Sequence, residues 1–143
     1  MLTEMRVAFY VQRAMATYRK TKGEANAPAL IGVRQILECA TLNGAACAGL
    51  ADTCGSLTPG KQADLVMIRS DDVNVYPSNH ALGTVVLAAD VRNIDTVIIG
   101  GKIRKLRGRM VGVNMDKFRQ LADESRAYLF MKAGYKLDIF SKG

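Results

Sequence analysis

The 143-residue chain has no tryptophan, one histidine, three prolines and three cysteines. Each shortage removes a class of explanation. A zinc centre would have to draw on Cys39, Cys47, Cys54 and the solitary His80. No two of these have the close spacing that pre-positions a ligand pair, so no such centre is expected. The odd cysteine count points to reduced thiols. Glu4 and Arg6 interrupt the N-terminal apolar run, so no signal-like start is seen and a cytoplasmic setting is expected. No apolar stretch approaches the roughly 20 residues that a bilayer span needs, so no membrane partner is expected. Few prolines, with 49% hydrophobic and 23% charged residues, exclude disordered and collagen-like chains.

What is present is a globular sequence of a size for one modest domain, or for a piece of something larger. Its formal net charge of +7 favours acidic partners. The excess is concentrated in "KIRKLRGR", where Lys102, Arg104, Lys105, Arg107 and Arg109 crowd into eight positions. No aromatic residue interleaves them to stack on bases. A solvated basic strand is therefore the preferred reading, and a nucleic-acid module working through Lys102 to Arg109 is the rival.

Apolar residues at helical spacing, Val7, Val11, Ala14 and Tyr18, widened by Met5 and Phe9, predict a helix from Leu2 to about Lys20 with that face buried. Residues 21–28 read as a loop. Residues 30–50 return to the helical pattern through Val33, Ile36, Leu37 and Ala40, with Asn43-Gly44 dividing them into two short helices. After Leu50 the pattern changes to short runs rich in Val and Ile. "ADLVMI", "GTVVLAA" and "IDTVIIGGKIRKL" are predicted strands, the last folded at Gly100-Gly101 into a hairpin. Asn114 caps a final helix that carries Phe118, Leu121, Ala122, Ser125 and Leu129 on one face, and Gly134 ends it.

"GSLTPGK", residues 55–61, has nearly the spacing of a phosphate-binding loop. Such a loop needs a strand before it and a helix N-terminus behind its lysine. Here helical sequence precedes and strand sequence follows. Pro59 removes an amide, and Gln62 stands where a metal-holding hydroxyl belongs. The segment reads instead as a turn with Pro59 and Gly60 at its centre, from which Lys61 starts a strand on its solvent side. Asp64, at the start of that strand, is expected to make a turn-side hydrogen bond.

A longer match explains more of the chain. "ATLNGAACAGLADTCGSLTPGKQADLVMI", residues 40–68, resembles the segment that leads from the barrel into the small β-sandwich of the metal-dependent amidohydrolases of the cytosine deaminase-like and triazine chlorohydrolase-like group. "NIDTVIIGGKIRKLRGRMV" resembles that family's closing hairpin, and "LTEMRVAFYVQR" the helix after its last barrel strand. The resemblance implies an α+β chain. Residues 1–51 would correspond to the terminal helices of a (β/α)8 barrel, 52–113 to the C-terminal half of the composite β-sandwich, and 114–143 to a final helix and tail.

Whole enzymes of this family carry zinc or iron on histidines and an aspartate, and they hydrolyse C–N or C–Cl bonds. The resemblance places none of those ligands in this chain. His80 falls in a variable loop, and Asp52, Asp64, Asp71, Asp72, Asp90 and Asp95 match no catalytic position. The expectation is therefore a C-terminal portion, from a truncated gene or a longer enzyme, with no catalytic, cofactor-binding or metal residue of its own and no activity alone. Unpaired strand edges and a helix face made for the barrel imply a homo-oligomer, or association with the rest of a barrel.

Overall fold

The computed structural model describes residues 1–134. It divides between Val111 and Gly112 into two units.

The first unit begins with helix α1, Leu2–Thr21. Its inward face carries Leu2, Met5 and Ala16, with Phe9 half-buried between them. The same side carries Gln12 and Arg13, which hold the following extended segment. Gln12 Nε2 donates to the Ala29 carbonyl at 2.8 Å, Gln12 Oε1 accepts from the Ile31 amide at 2.9 Å, and Arg13 donates to the Ile31 carbonyl at 3.0 Å. This corrects the expected orientation of α1. The stripe Val7, Val11, Ala14 and Tyr18 is exposed, and only the flanking Met5 and Phe9 turn inward. Both sides of the helix are apolar. The side that also carries amide and guanidinium partners for residues 29–31 is the one this chain covers.

Residues 33–47 form a single helical path: α2, Val33–Glu38, a π turn at Cys39–Asn43, and α3, Gly44–Cys47. Gln35 Oε1 accepts from the Gly32 amide at 2.8 Å and fixes its start. The expected division at Asn43-Gly44 is absent, because Gly44 keeps helical angles with φ −61. A β-carbon there would lie 3.0 Å from the Cys39 carbonyl. The glycine therefore makes room for the extra residue of the π turn instead of ending the helix.

A second correction concerns "GTVVLAA". It is not a strand. A short helix α4, Ala81–Gly83, runs into a π turn at Thr84–Ala88. Five consecutive apolar residues suit a buried helix as well as a buried strand, and periodicity cannot choose between them. The choice is made by His80, whose Nδ1 caps the turn, and by Val86, which is fully buried against the other helices.

The sheet is antiparallel in the order β1-β2-β3-β4: Leu65–Ile68, Ile94–Ile99, Lys102–Leu106 and Arg109–Met110. Gly100 and Gly101 close the β2–β3 hairpin as expected, with φ of 55 and 74. Both angles favour glycine and fit the mirror-image turn that matches strand twist. A second such turn, Arg107-Gly108 with φ 47 and 76, adds the two-residue β4, which the sequence pattern did not disclose. Among the described residues β1 pairs only with β2, so its other edge is open. Leu2, Met5, Ile36 and Val86 form the core, and Ile68 and Ile94 bring the sheet against them.

The second unit contains α5, Met115–Ala133. Asn114 Oδ1 accepts from the Lys117 amide at 3.0 Å, and Gly134 ends the helix with φ 61, as the sequence predicts. None of its side chains is buried, and Phe118, Leu121 and Leu129 stand exposed on one side.

Candidate functional site

The phosphate-loop look-alike is a closed turn. The Lys61 amide donates to the Thr58 carbonyl at 3.1 Å across Gly60, whose φ is 94. Helix α3 precedes the loop and β1 follows it, so no helix N-terminus faces a ligand. The Lys61 ammonium does not point to solvent from a strand, as expected; β1 begins only at Leu65. It donates to the carbonyls of Ala51 and, at 3.3 Å, Cys54. The lysine therefore clamps its own loop. A charged donor shared by two carbonyls is strongly held and is not free for phosphate. Gly55, with φ 88, lies so close to α3 that a β-carbon would approach Ala45 Cβ at 2.7 Å.

Asp64 reaches across the sheet: its Oδ1 accepts from the Gly100 amide at 2.6 Å, and the Gly101 amide donates to the Ala63 carbonyl at 3.0 Å. The expected turn-side bond exists, but the turn belongs to the neighbouring hairpin 36 residues on.

Sequence reasoning missed a polar knot around Asn93, which is fully buried. Asn93 Nδ2 donates to Asp72 Oδ2 at 2.7 Å and to Asn74 Oδ1 at 3.0 Å. Asn93 Oδ1 accepts from Asn74 Nδ2 at 2.9 Å and from the Asp90 amide at 2.8 Å. Every hydrogen-bonding position of this amide is thus occupied. Arg6 of α1 reaches the same region, donating to the Ala89 carbonyl at 2.7 Å. Beside the knot, Arg92 grips Asp90 with Nη2 to Oδ2 at 2.8 Å. The hydrogen bonds from the Arg92 side chain and amide hold the Asp90 carboxyl below the ordinary aspartate range, and the Arg92 guanidinium is raised in turn. The available signal was an asparagine just before an apolar strand, together with "DVN" at 72–74.

The groups that could hold a metal are dispersed. His80 Nδ1 accepts from the Gly83 amide at 2.9 Å. Cys39 and Cys47 are exposed, and none of the three cysteines is in a disulfide. Asp64, Asp72 and Asp90 are committed to the partners just described. Among the described residues no three His, Cys, Asp or Glu side chains gather to hold an ion. This donor set does not fit the zinc or iron that the family resemblance implies, and no chemistry is routed through one. A groove of about 250 Å³ between α1 and α2, lined by Met1, Glu4, Met5, Ala8, Ile36, Cys39 and Ala40, is apolar apart from Glu4 and the thiol. It offers no paired nucleophile and base. Among the described residues no helix is long and apolar enough to cross a membrane.

The Amidohydrolase family profile matches residues 1–104. The 5-methylthioadenosine/S-adenosylhomocysteine deaminase of Moorella thermoacetica is 38% identical over 89 residues, covering 62% of this chain and 21% of that protein. The deaminase of the same name from Pyrococcus abyssi is 30% identical over 116 residues, covering 81% and 25%. The S-triazine hydrolase of Gordonia rubripertincta is 32% identical over 74 residues, covering 52% and 16%. The chain spans roughly a fifth of the length of the first curated relatives it matches.

Among crystal structures, a zinc-bound adenosine deaminase from Xanthomonas campestris superposes with a TM-score of 0.69 at 26% identity, over 87% of this chain and 28% of that one. The atrazine chlorohydrolase TrzN of Arthrobacter aurescens TC1, also with zinc, gives 0.70 at 21% identity, over 88% and 26%, and speaks to fold alone. The α+β arrangement with its small antiparallel sheet is thus similar to parts of amidohydrolase structures. With the family profile running through three helical segments and most of the sheet, this chain belongs to the amidohydrolase family.

Proposed function

We propose that this chain is the C-terminal portion of a metal-dependent hydrolase of the deaminase and chlorohydrolase type, and that it has no active site of its own. Residues 1–51 would be the terminal helices of the barrel, 52–113 the C-terminal half of the composite sandwich, and 114–143 the closing helix and tail. One observation carries the reading. The family match is continuous over residues 1–104, yet the chain covers only about a fifth of its first relatives.

The disposition of the chain's own groups supports the same reading. The solitary imidazole caps a helix, the lysine of the look-alike loop clamps carbonyls, and Asp64, Asp72 and Asp90 hold turns and the polar knot. These are positioning roles, and Glu4, the one carboxylate lining the groove beside α2, is ion-paired with the N-terminal ammonium. The partner would be the rest of an amidohydrolase chain or a second copy of this one, in a cytoplasmic setting.

The test is turnover of adenosine-type and chlorotriazine substrates by the full chain with added zinc or iron. The expected rate equals that of metal alone in buffer. A metal-dependent rate that purifies with the chain would overturn the proposal.

A further inference from the structure

Charge in the first unit is concentrated in one hairpin. Residues 1–101 carry nine Lys and Arg against nine Asp and Glu, while residues 102–109 add five cations and no acid. Elsewhere in the unit Arg6 and Lys61 hold carbonyls, and Arg69 and Arg92 hold carboxylates. On the hairpin, Lys102, Arg104, Arg107 and Arg109 are exposed, and among the described residues their side chains make no hydrogen bond or ion pair. Lys105 is half-buried, with its ammonium 3.5 Å from the Val91 carbonyl. The five lie on β3, on the Arg107-Gly108 turn and on β4, which is last in the sheet order. The core meets the sheet through Ile68 of β1 and Ile94 of β2, so the hairpin takes no part in that packing. The family match ends at residue 104, and the hydrolase reading therefore accounts for none of Lys105, Arg107 and Arg109.

We propose that the β3–β4 hairpin binds the phosphate backbone of a DNA duplex without reading its sequence. An all-donor surface fits an all-acceptor partner, and no carboxylate lies between Asp95 and Asp116 to meet a partner's amino or amide groups. The five residues of β3 span about 17 Å. Over that length each strand of a B-form duplex carries about five phosphates, one per roughly 3.4 Å. Three of the five cations are arginines, whose planar fork holds two phosphate oxygens at once. Residues 100–113 contain no aromatic side chain, so the hairpin lacks both the stacking platform of single-strand binders and the aromatic anchors of a lipid surface. A duplex, with its bases already stacked, needs neither.

Fluorescence anisotropy of the full chain with a short labelled DNA duplex, across about 50 to 200 mM salt, is the test. Two unrelated sequences should bind alike, with dissociation constants of roughly 10⁻⁴ to 10⁻⁶ M near physiological salt. Four phosphate contacts would give a slope of about −3.6 in log affinity against log salt, and Arg104→Gln with Arg109→Gln would flatten it by about 1.8. Lys102→Gln, at the start of β3, would flatten it by about 0.9 and guards against a loss of folding in the double variant. Lys20→Gln with Arg34→Gln removes the same formal charge from exposed positions outside the hairpin and should leave the slope unchanged. Equal flattening by both pairs would overturn the hairpin as the site. Absence of binding at the lowest salt would overturn the proposal outright and leave a solvated edge strand. Tighter binding to phosphatidylserine vesicles or to poly-glutamate at the same salt would overturn the duplex as the occupant.

Discussion

The knot around Asn93 and the outer face of α1 treat polarity in opposite ways. In the knot, a buried amide is satisfied entirely by side chains and backbone of the same chain. On α1, valine, methionine and tyrosine stand exposed. The first region is complete in itself. The second has the apolar composition of an interior while standing exposed.

Substitutions sharpen that contrast. Asn93→Ala should cost about 2–5 kcal/mol in chemical denaturation, since it strands Asn74 and the Asp90 amide, at roughly 1–3 kcal/mol for each unsatisfied group. Gly55→Ala follows at about 2–3 kcal/mol, combining a disfavoured positive φ with a clash against Ala45. Its thermal midpoint should fall accordingly.

Asp90→Asn has a smaller effect, recognised by its pH dependence. Arg92 holds the folded carboxyl below its unfolded value of about 3.9. The stabilisation is therefore complete above that value and is lost as pH falls through the lower, folded one. Wild type and variant should differ most near neutrality and converge in acid, as followed by urea midpoints across pH. Val11→Gln on the outer face should change monomer stability by less than about 0.5 kcal/mol. A large loss there would mean that the face is already covered within the chain.

Local chemistry was the most legible part of the sequence. Gly100-Gly101, Asn114, Gly134 and the Pro59-Gly60 turn act through their own backbone angles and nearest amides, so a short window suffices to read them. Long-range choices were hidden. Residues 81–88 are β-branched enough for a strand, and what makes them helical is a histidine cap and a pocket for Val86 formed by distant helices. In α1 the period was right but its facing was wrong, because the sequence shows that a stripe is apolar and not what lies against it. The polar knot was not readable, since Asp72, Asn74 and Asn93 come together only once β1 and β2 pair.

Metal content measures the central claim most directly. After incubation with excess zinc and exhaustive dialysis, elemental analysis of the full chain should find far less than one zinc per polypeptide, because among the described residues no three imidazole, thiol or carboxylate groups converge. One zinc retained per chain, lost when His80 or the cysteines are replaced, would contradict the account.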